Sequence, residues 1–405
     1  MRSSMVALTR ILALWAAACR PEGSPRGAIT GDSAGVTIVV NASPAWPRGQ
    51  AWTVDAMPVL DLGTAMGDSL YEFGSVMGAL RLTDGRIVVA DDRAKQLRVY
   101  SPEGAFLQAV GRRGRGPGEF DALGGVYAWR ADSIAAFDYS LRRVTLYSTQ
   151  LAFGRALEFR NTPGYWVQGV VQDSLLLLRS FGSAQMPLEV PGTYWDSTWL
   201  ILVGPAGQTD TIGRFPQRKV AGAVGRDLRT LLSNPDFVQL APVLSATAAR
   251  THIVIGTGES FSIDLYDTAG SLVRGIRRTW KPESVDGRYI QDYKQKRVEF
   301  LLNVTPNADA TSLRERVDRL MYLDTKPAFL GIFADPDGGL WVSSYRMPWQ
   351  EPGYWSVFDS AGTWLGDVQQ PRFDQVFQIG RDFVLTLSFD DAGAQHVRVH
   401  RLNRH

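Results

Sequence analysis

The sequence of 405 residues has one cysteine, Cys19, and four histidines. A single cysteine excludes an intrachain disulfide, a CxxC pair and a cysteine cage for zinc. His252, His396, His400 and His405 make neither HExxH nor a paired ligand spacing, which argues against zinc chemistry. His396 and His400 share one face of a strand, and solvent exposure on a terminal strand accounts for them. Neither sign of charge is in excess: Lys and Arg number 43 and Asp and Glu 41, and without Arg2 and Arg10 the balance is 41 to 41. A neutral chain has no global field to hold nucleic acid. Missing as well is an apolar run of the roughly 20 residues that a membrane-spanning helix needs.

What the sequence does contain is a repeat. Moving Glu72 to Leu107 along by 47 residues lays Glu72-Phe73 on Glu119-Phe120, Gly78 on Gly125, Ile87 on Ile134, Asp91 on Asp138 and Tyr100 on Tyr147. Each unit has short apolar runs separated by turn signals such as Asp84-Gly85 and Pro102-Glu103-Gly104. Four short strands per unit describe a propeller blade. Six blades can be traced, the last with three strands at the C-terminus, so its fourth must come from Val59 to Gly63. That borrowing removes the open strand edges of an unclosed ring. Helical periodicity is confined to an insertion, residues 282 to 327, between blades four and five, where Ser312 and Glu315 form a capping box. The expected fold is therefore all-β: a six-bladed β-propeller over residues 36 to 405, closed by an N-terminal strand.

The units TDGRIVVADDRAKQLRVYSPEGAFLQAVG and DPDGGLWVSSYRMPWQEPGYWSVFDSAGTWLGDV, with the connector GRRGRGPGEF, resemble the six-bladed propellers of the NHL-repeat kind common among bacterial lipoproteins. That resemblance implies the fold and leaves the activity open, because propellers host many functions. The leader agrees with it. Residues 1 to 18 have a basic start and a short apolar stretch, and Ala16-Ala17-Ala18-Cys19 resembles a lipobox, with Ala16 where leucine is usual. The resemblance implies that Cys19 is acylated and becomes the mature N-terminus. Arg20 stands where an inner-membrane retention signal has Asp, so outer-membrane anchoring is favoured. Residues 19 to 35, rich in Pro, Gly and Ser, read as a flexible tether. Gly31 to Gly35 matches GxSxG, but it lies in that tether before a strand and is read as a chance match.

In an up-and-down blade, the loop between strands two and three and the connector to the next blade lie on one face. The long segments 64 to 75, 111 to 123, 180 to 198, 214 to 243, 277 to 328 and 346 to 353 all fall there, and long loops on a rigid scaffold carry function. Candidate contacts on that face are Arg112, Arg113 and Arg115 in the glycine-rich connector, which could meet an anionic partner, and Asp91 and Asp138 at the ends of second strands. Trp195, Tyr354 and Trp355 follow recurrent Pro-Gly turns, Trp349 lies nearby, and all four could stack on a sugar or anchor a protein. For each there is a plainer account: exposed arginines, turn-capping aspartates, aromatics packed between blades. Asp335 to Gly338 starts like a calcium loop but has Arg346 where the twelfth-position Glu belongs, so it is read as a turn.

The reading is a lipid-anchored, monomeric binding module of the cell envelope, without a cofactor, presenting its loop face to a protein or glycan. The alternative is a hydrolase or lyase of the gluconolactonase-like kind, with a divalent cation held by carboxylates such as Asp91 and Asp138. A structural envelope protein is a weaker third reading.

Overall fold

The computed structural model describes residues 28–130, 133–159, 165–180, 193–221, 238–305, 307–347 and 349–404. Cys19 and the leader lie outside them.

Before the ring begins come two hairpin strands, β1 (Ala28–Ser33) and β2 (Val36–Asn41), and two short strands, β3 (Thr53–Val54) and β4 (Leu60–Leu62). Blade one is β5 to β8 (Val76–Arg81, Ile87–Asp91, Gln96–Tyr100, Phe106–Val110) and blade two β9 to β12 (Leu123–Trp129, Ser133–Asp138, Arg143–Tyr147, Phe153–Glu158). Blade three is β13 to β16 (Tyr165–Val171, Leu175–Ser180, Thr193–Val203, Thr209–Ala221) and blade four β17 to β20 (Ser245–Ala249, His252–Gly256, Ser262–Tyr266, Leu272–Arg278). Helices α1 (Gly287–Val304) and α2 (Ala310–Asp318) follow. Blade five is β21 to β24 (Gly331–Ala334, Leu340–Ser343, Tyr354–Phe358, Trp364–Gln369), and blade six is β25 to β27 (Gln375–Ile379, Phe383–Phe389, Gln395–Asn403) completed by β4.

The second strands are apolar almost without interruption because both of their faces are covered. In β6 every residue is buried; Val88 and Ala90 pack toward blade two, while Ile87 and Val89 pack toward blade six. The same arrangement gives six interblade cores, one for each neighbouring pair, and the ring is continuous. Closure is as expected: Val397, Arg398 and Val399 of β27 pair with Leu62, Asp61 and Leu60 of β4.

Three details differ from the sequence reading. Residues 28 to 35, assigned to the tether, form the β1–β2 hairpin, turned by Ala34 and Gly35 at φ 54° and 83°. This hairpin adds β2 in parallel to the outer strand of blade four, from Thr37 opposite Arg274 to Asn41 opposite Arg278. The GxSxG pattern is thus the tip of a hairpin. Second, α2 starts at Asp309, whose carboxylate accepts from Ser312 N at 2.7 Å, three residues before the capping serine that the pattern suggested. Third, His400 is buried, since β3 and β4 cover the far edge of β27.

Between blades four and six the chain also grips blade five. Ala45 N and Trp46 N donate to Trp364 O and Leu365 O at 2.9 and 2.8 Å. Asn41, fully buried, donates from Nδ2 to Gly362 O at 3.0 Å and accepts from Trp364 N at 2.8 Å. The Trp46 ring lies directly on Gly366, where a Cβ would sit 2.4 Å from the indole. Residues 28 to 62 therefore form a strap around the outside of three consecutive blades.

Candidate functional site

Antiparallel strand order sends the tight turns, such as the one closed by Gly85 N to Leu82 O, to one end of the ring and the elaborate segments to the other. Parts of two segments read as loops are in fact strand. Residues 193 to 198 and 214 to 221 continue β15 and β16 as a long hairpin that rises from blade three, with Thr193 opposite Ala221. The segments 181–192 and 222–237 lie outside the described residues.

On this face, where the inner strands of blades four, five and six begin, the β16 extension, the 238–243 connector, α1 and the 345–347 loop enclose a recess of about 490 Å³. Its walls are largely apolar: Leu240, Tyr293, Leu330, Tyr345, Met347 and Phe373. Tyr293 on α1 is held by its hydroxyl, which donates to Gln239 Oε1 at 2.9 Å, and by Trp349, whose ring centroid is 5.4 Å away. Four cations line the recess, Arg218, Lys219, Arg297 and Arg346, against one carboxylate, Asp374. Burial lowers the Arg218 and Arg346 guanidinium pKa values from their ordinary value, yet arginine stays charged at any physiological pH. Burial raises the Tyr345 and Tyr293 phenols above their ordinary value.

The nine candidate residues do not converge on this recess. Asp91 is buried and accepts from four backbone amides, Gly74, Ser75, Arg93 and Ala94, at 3.1 to 3.3 Å, with Arg98 at 3.6 Å. Asp138 repeats the arrangement with Asp121 N, Ala122 N and Leu141 N at 2.7, 3.1 and 2.9 Å. Each carboxylate ties an inter-strand turn to the incoming connector, and among the described residues no group of three or more His, Cys, Asp or Glu gathers as a metal site. Trp355 is a correction: fully buried, it stacks on Phe373 at 5.6 Å and packs in the core between blades five and six. A partner cannot reach it.

Arg112, Arg113 and Arg115 are exposed on the connector from blade one to blade two. Arg112 pairs with Glu119 at 2.8 Å, and the loop is held from below by Arg143, which donates to Arg115 O and Gly116 O at 3.0 Å. Tyr354 is exposed at the start of β23. Trp195 and Trp349 flank the recess, the first through Lys219 Nζ at 5.4 Å from its ring, the second through Tyr293. Sequence reasoning missed Arg218, Arg297, Tyr345, Arg346 and Phe373 as a group. They come from four separate elements; the segments of Arg218, Arg297 and Arg346 were marked by length, those of Tyr345 and Phe373 were not, and nothing marked their convergence.

Comparison with known proteins agrees on architecture. A family model described as a 6-bladed beta-propeller matches residues 71–159, which span blades one and two. No curated protein matches the sequence. Among solved structures, a DUF4221-family protein from Bacteroides vulgatus is similar at a TM-score of 0.50 and 10% identity, covering 86% of this chain and 98% of its own. A protein of Bacteroides fragilis assigned as exported gives 0.48 and 12%, covering 90% and 99%. Virginiamycin B lyase from Staphylococcus aureus, crystallised as an inactive variant with quinupristin, gives 0.39 and 9%, covering 81% and 80%. At such identities the likeness speaks for the fold alone, and on fold the sequence, the strand pairing and the family model agree: the chain is a six-bladed β-propeller.

Proposed function

We propose that this protein is an envelope binding module, anchored by lipid at Cys19, that acts as a monomer and presents the loop face of its propeller to a protein or glycan. The observation that carries the reading is the asymmetry of the ring. The β15–β16 extension, the α1–α2 insertion and the arginine connector all rise from one end, while tight turns close the other. Selection for stability alone gives no reason to elaborate only one end. Arg113, Arg115 and Tyr354, exposed on that face, are the contacts of choice for a partner bound across it.

The enzymatic alternative needs carboxylates free to hold a cation, and Asp91 and Asp138 spend their oxygens on backbone amides. Elemental analysis of chelator-free mature protein separates the two readings. A stoichiometric divalent metal lost on Asp91→Ala or Asp138→Ala would put the enzyme first.

Partner capture from an envelope extract tests the binding reading. The wild-type ring should retain a partner that is lost when residues 287 to 318 are replaced by a short linker or when Arg113 and Arg115 become Glu. Retention that survives both changes would indicate a scaffold and not a loop-face binder. For the anchor, mass spectrometry of the native N-terminus should find Cys19 acylated; an unmodified cysteine ends that part of the proposal.

A further inference from the structure

The recess above blades four to six carries an imbalance that its own side chains do not settle. Two of its four cations are answered: Arg218 faces Asp196 at 4.0 Å, and Lys219 pairs with Glu259 at 2.9 Å. Arg297 has the Phe300 ring at 6.0 Å and, among the described residues, no carboxylate within 4.0 Å. Arg346 makes one long hydrogen bond to Phe373 O, at 3.4 Å, lies 5.7 Å from the Phe373 ring and likewise has no carboxylate within 4.0 Å. Asp374 offsets part of the Arg346 charge from farther away, and its own oxygen accepts from Phe389 N at 3.1 Å. Around these guanidiniums the walls are aromatic and aliphatic, and Leu330 and Val243 at the rim are 50% and 46% exposed.

We propose that this recess binds a small amphiphilic anion, an organic carboxylate, sulfonate or phosphate joined to an apolar body, which goes beyond partner binding by the outer loops. The volume lies within the range of about 300 to 1,000 Å³ usual for ligand pockets. An apolar body covers Leu330 and Val243, surface that water otherwise wets. The anionic head takes the guanidinium forks of Arg297 and Arg346, whose attraction is strengthened where aromatic walls exclude water. Tyr345, a wall of the recess, offers its phenol as a further donor. A cation is refused by the same charges, and a neutral apolar molecule leaves them uncompensated.

The test uses two dyes of similar shape with the full mature chain: anilinonaphthalene sulfonate, which is anionic, and N-phenylnaphthylamine, which is neutral. The sulfonate should saturate at one dye per chain. Arg346→Gln and Arg297→Gln should each weaken it about tenfold while leaving the neutral dye within a factor of about two. Decanoate should displace the bound sulfonate and decanol should not. Thermal melts of both variants verify folding, and because Arg297 projects from a surface helix, its variant keeps the test open if Arg346→Gln misfolds. Equal affinity for the two dyes, indifference to both substitutions, or displacement by decanol as readily as by decanoate would overturn the proposal. Displacement by phosphatidylglycerol vesicles and not by decanoate would overturn it too, since the ligand would then be a bilayer surface and not a free amphiphile. None of these results depends on whether the outer loops capture a partner.

Discussion

Asp91 gathers four backbone amides onto one buried carboxylate, and Asp138 gathers three. Amides left buried without an acceptor cost more than the bond was worth, so Asp91→Ala should lower stability by about 3 kcal/mol in urea unfolding. Asp91→Asn, which keeps one acceptor oxygen, should lose less. His400 shows a different kind of accounting. Its Nδ1 lies 2.9 Å from Asp55 O, a carbonyl that can only accept, so Nδ1 carries the proton. Burial pushes its pKa below the ordinary histidine value; the neighbouring Asp55 and Asp61 oppose that shift and Arg398 adds to it. The folded state thus resists a proton that the unfolded chain accepts near pH 6.5. The stabilising contribution is present above about pH 6.5 and is lost as pH falls through the lowered folded value. Urea unfolding at pH 7.5 and 5.5 should show a drop in wild type that is smaller in His400→Gln.

At the level of elements, the strap and the closing strand make separable contributions. Removing β3 and β4 exposes the whole edge of β27 and the Leu62 side of the core between blades six and one. That variant should aggregate, because an open strand edge recruits other chains. Deleting only residues 28 to 41 leaves the ring closed and should give a soluble protein with one cooperative transition at lower temperature, read by calorimetry. Asn41→Ala should reproduce much of that loss, since its buried amide serves Gly362, Arg277 and Trp364 together. Blade one, the closing strand and the strand after Gly35 were legible in the sequence, whereas β1 was not. Ala28–Ser33 is short, polar and glycine-containing, and it becomes strand only because β2, laid along β20, offers it an edge to pair with. The same holds for the β15–β16 extension, which two long stretches of polar sequence disguised as loops.

The 47-residue period that revealed the whole molecule has a physical origin in the centre of the ring. Gly78 and Gly125 repeat because inner strands converge there: a Cβ on Gly78 would sit 3.2 Å from Gly125 Cα. Asp91 and Asp138 repeat because blades one and two use the same lock between turn and connector. Constraints of that kind recur with the blade and are therefore visible without a structure. The recess above blades four to six is the opposite case. Arg297 comes from α1, Arg346 from the loop after β22 and Phe373 from the connector after β24, and no period links them.

The strap also sets an order in time. Asn41, Trp364's partner on the strap, waits for a residue 323 positions later, and Asp61 for one 337 positions later. Contacts so distant in sequence form late and slowly. During synthesis the closing strand β4 is made early and paired last, so no partial chain can close the ring around itself. A chain lacking residues 395 to 405 should accordingly leave the amides of residues 53 to 62 open to hydrogen exchange. The two ends of the chain thus act as one latch: the ring has no closed form until β27 is present to receive β4.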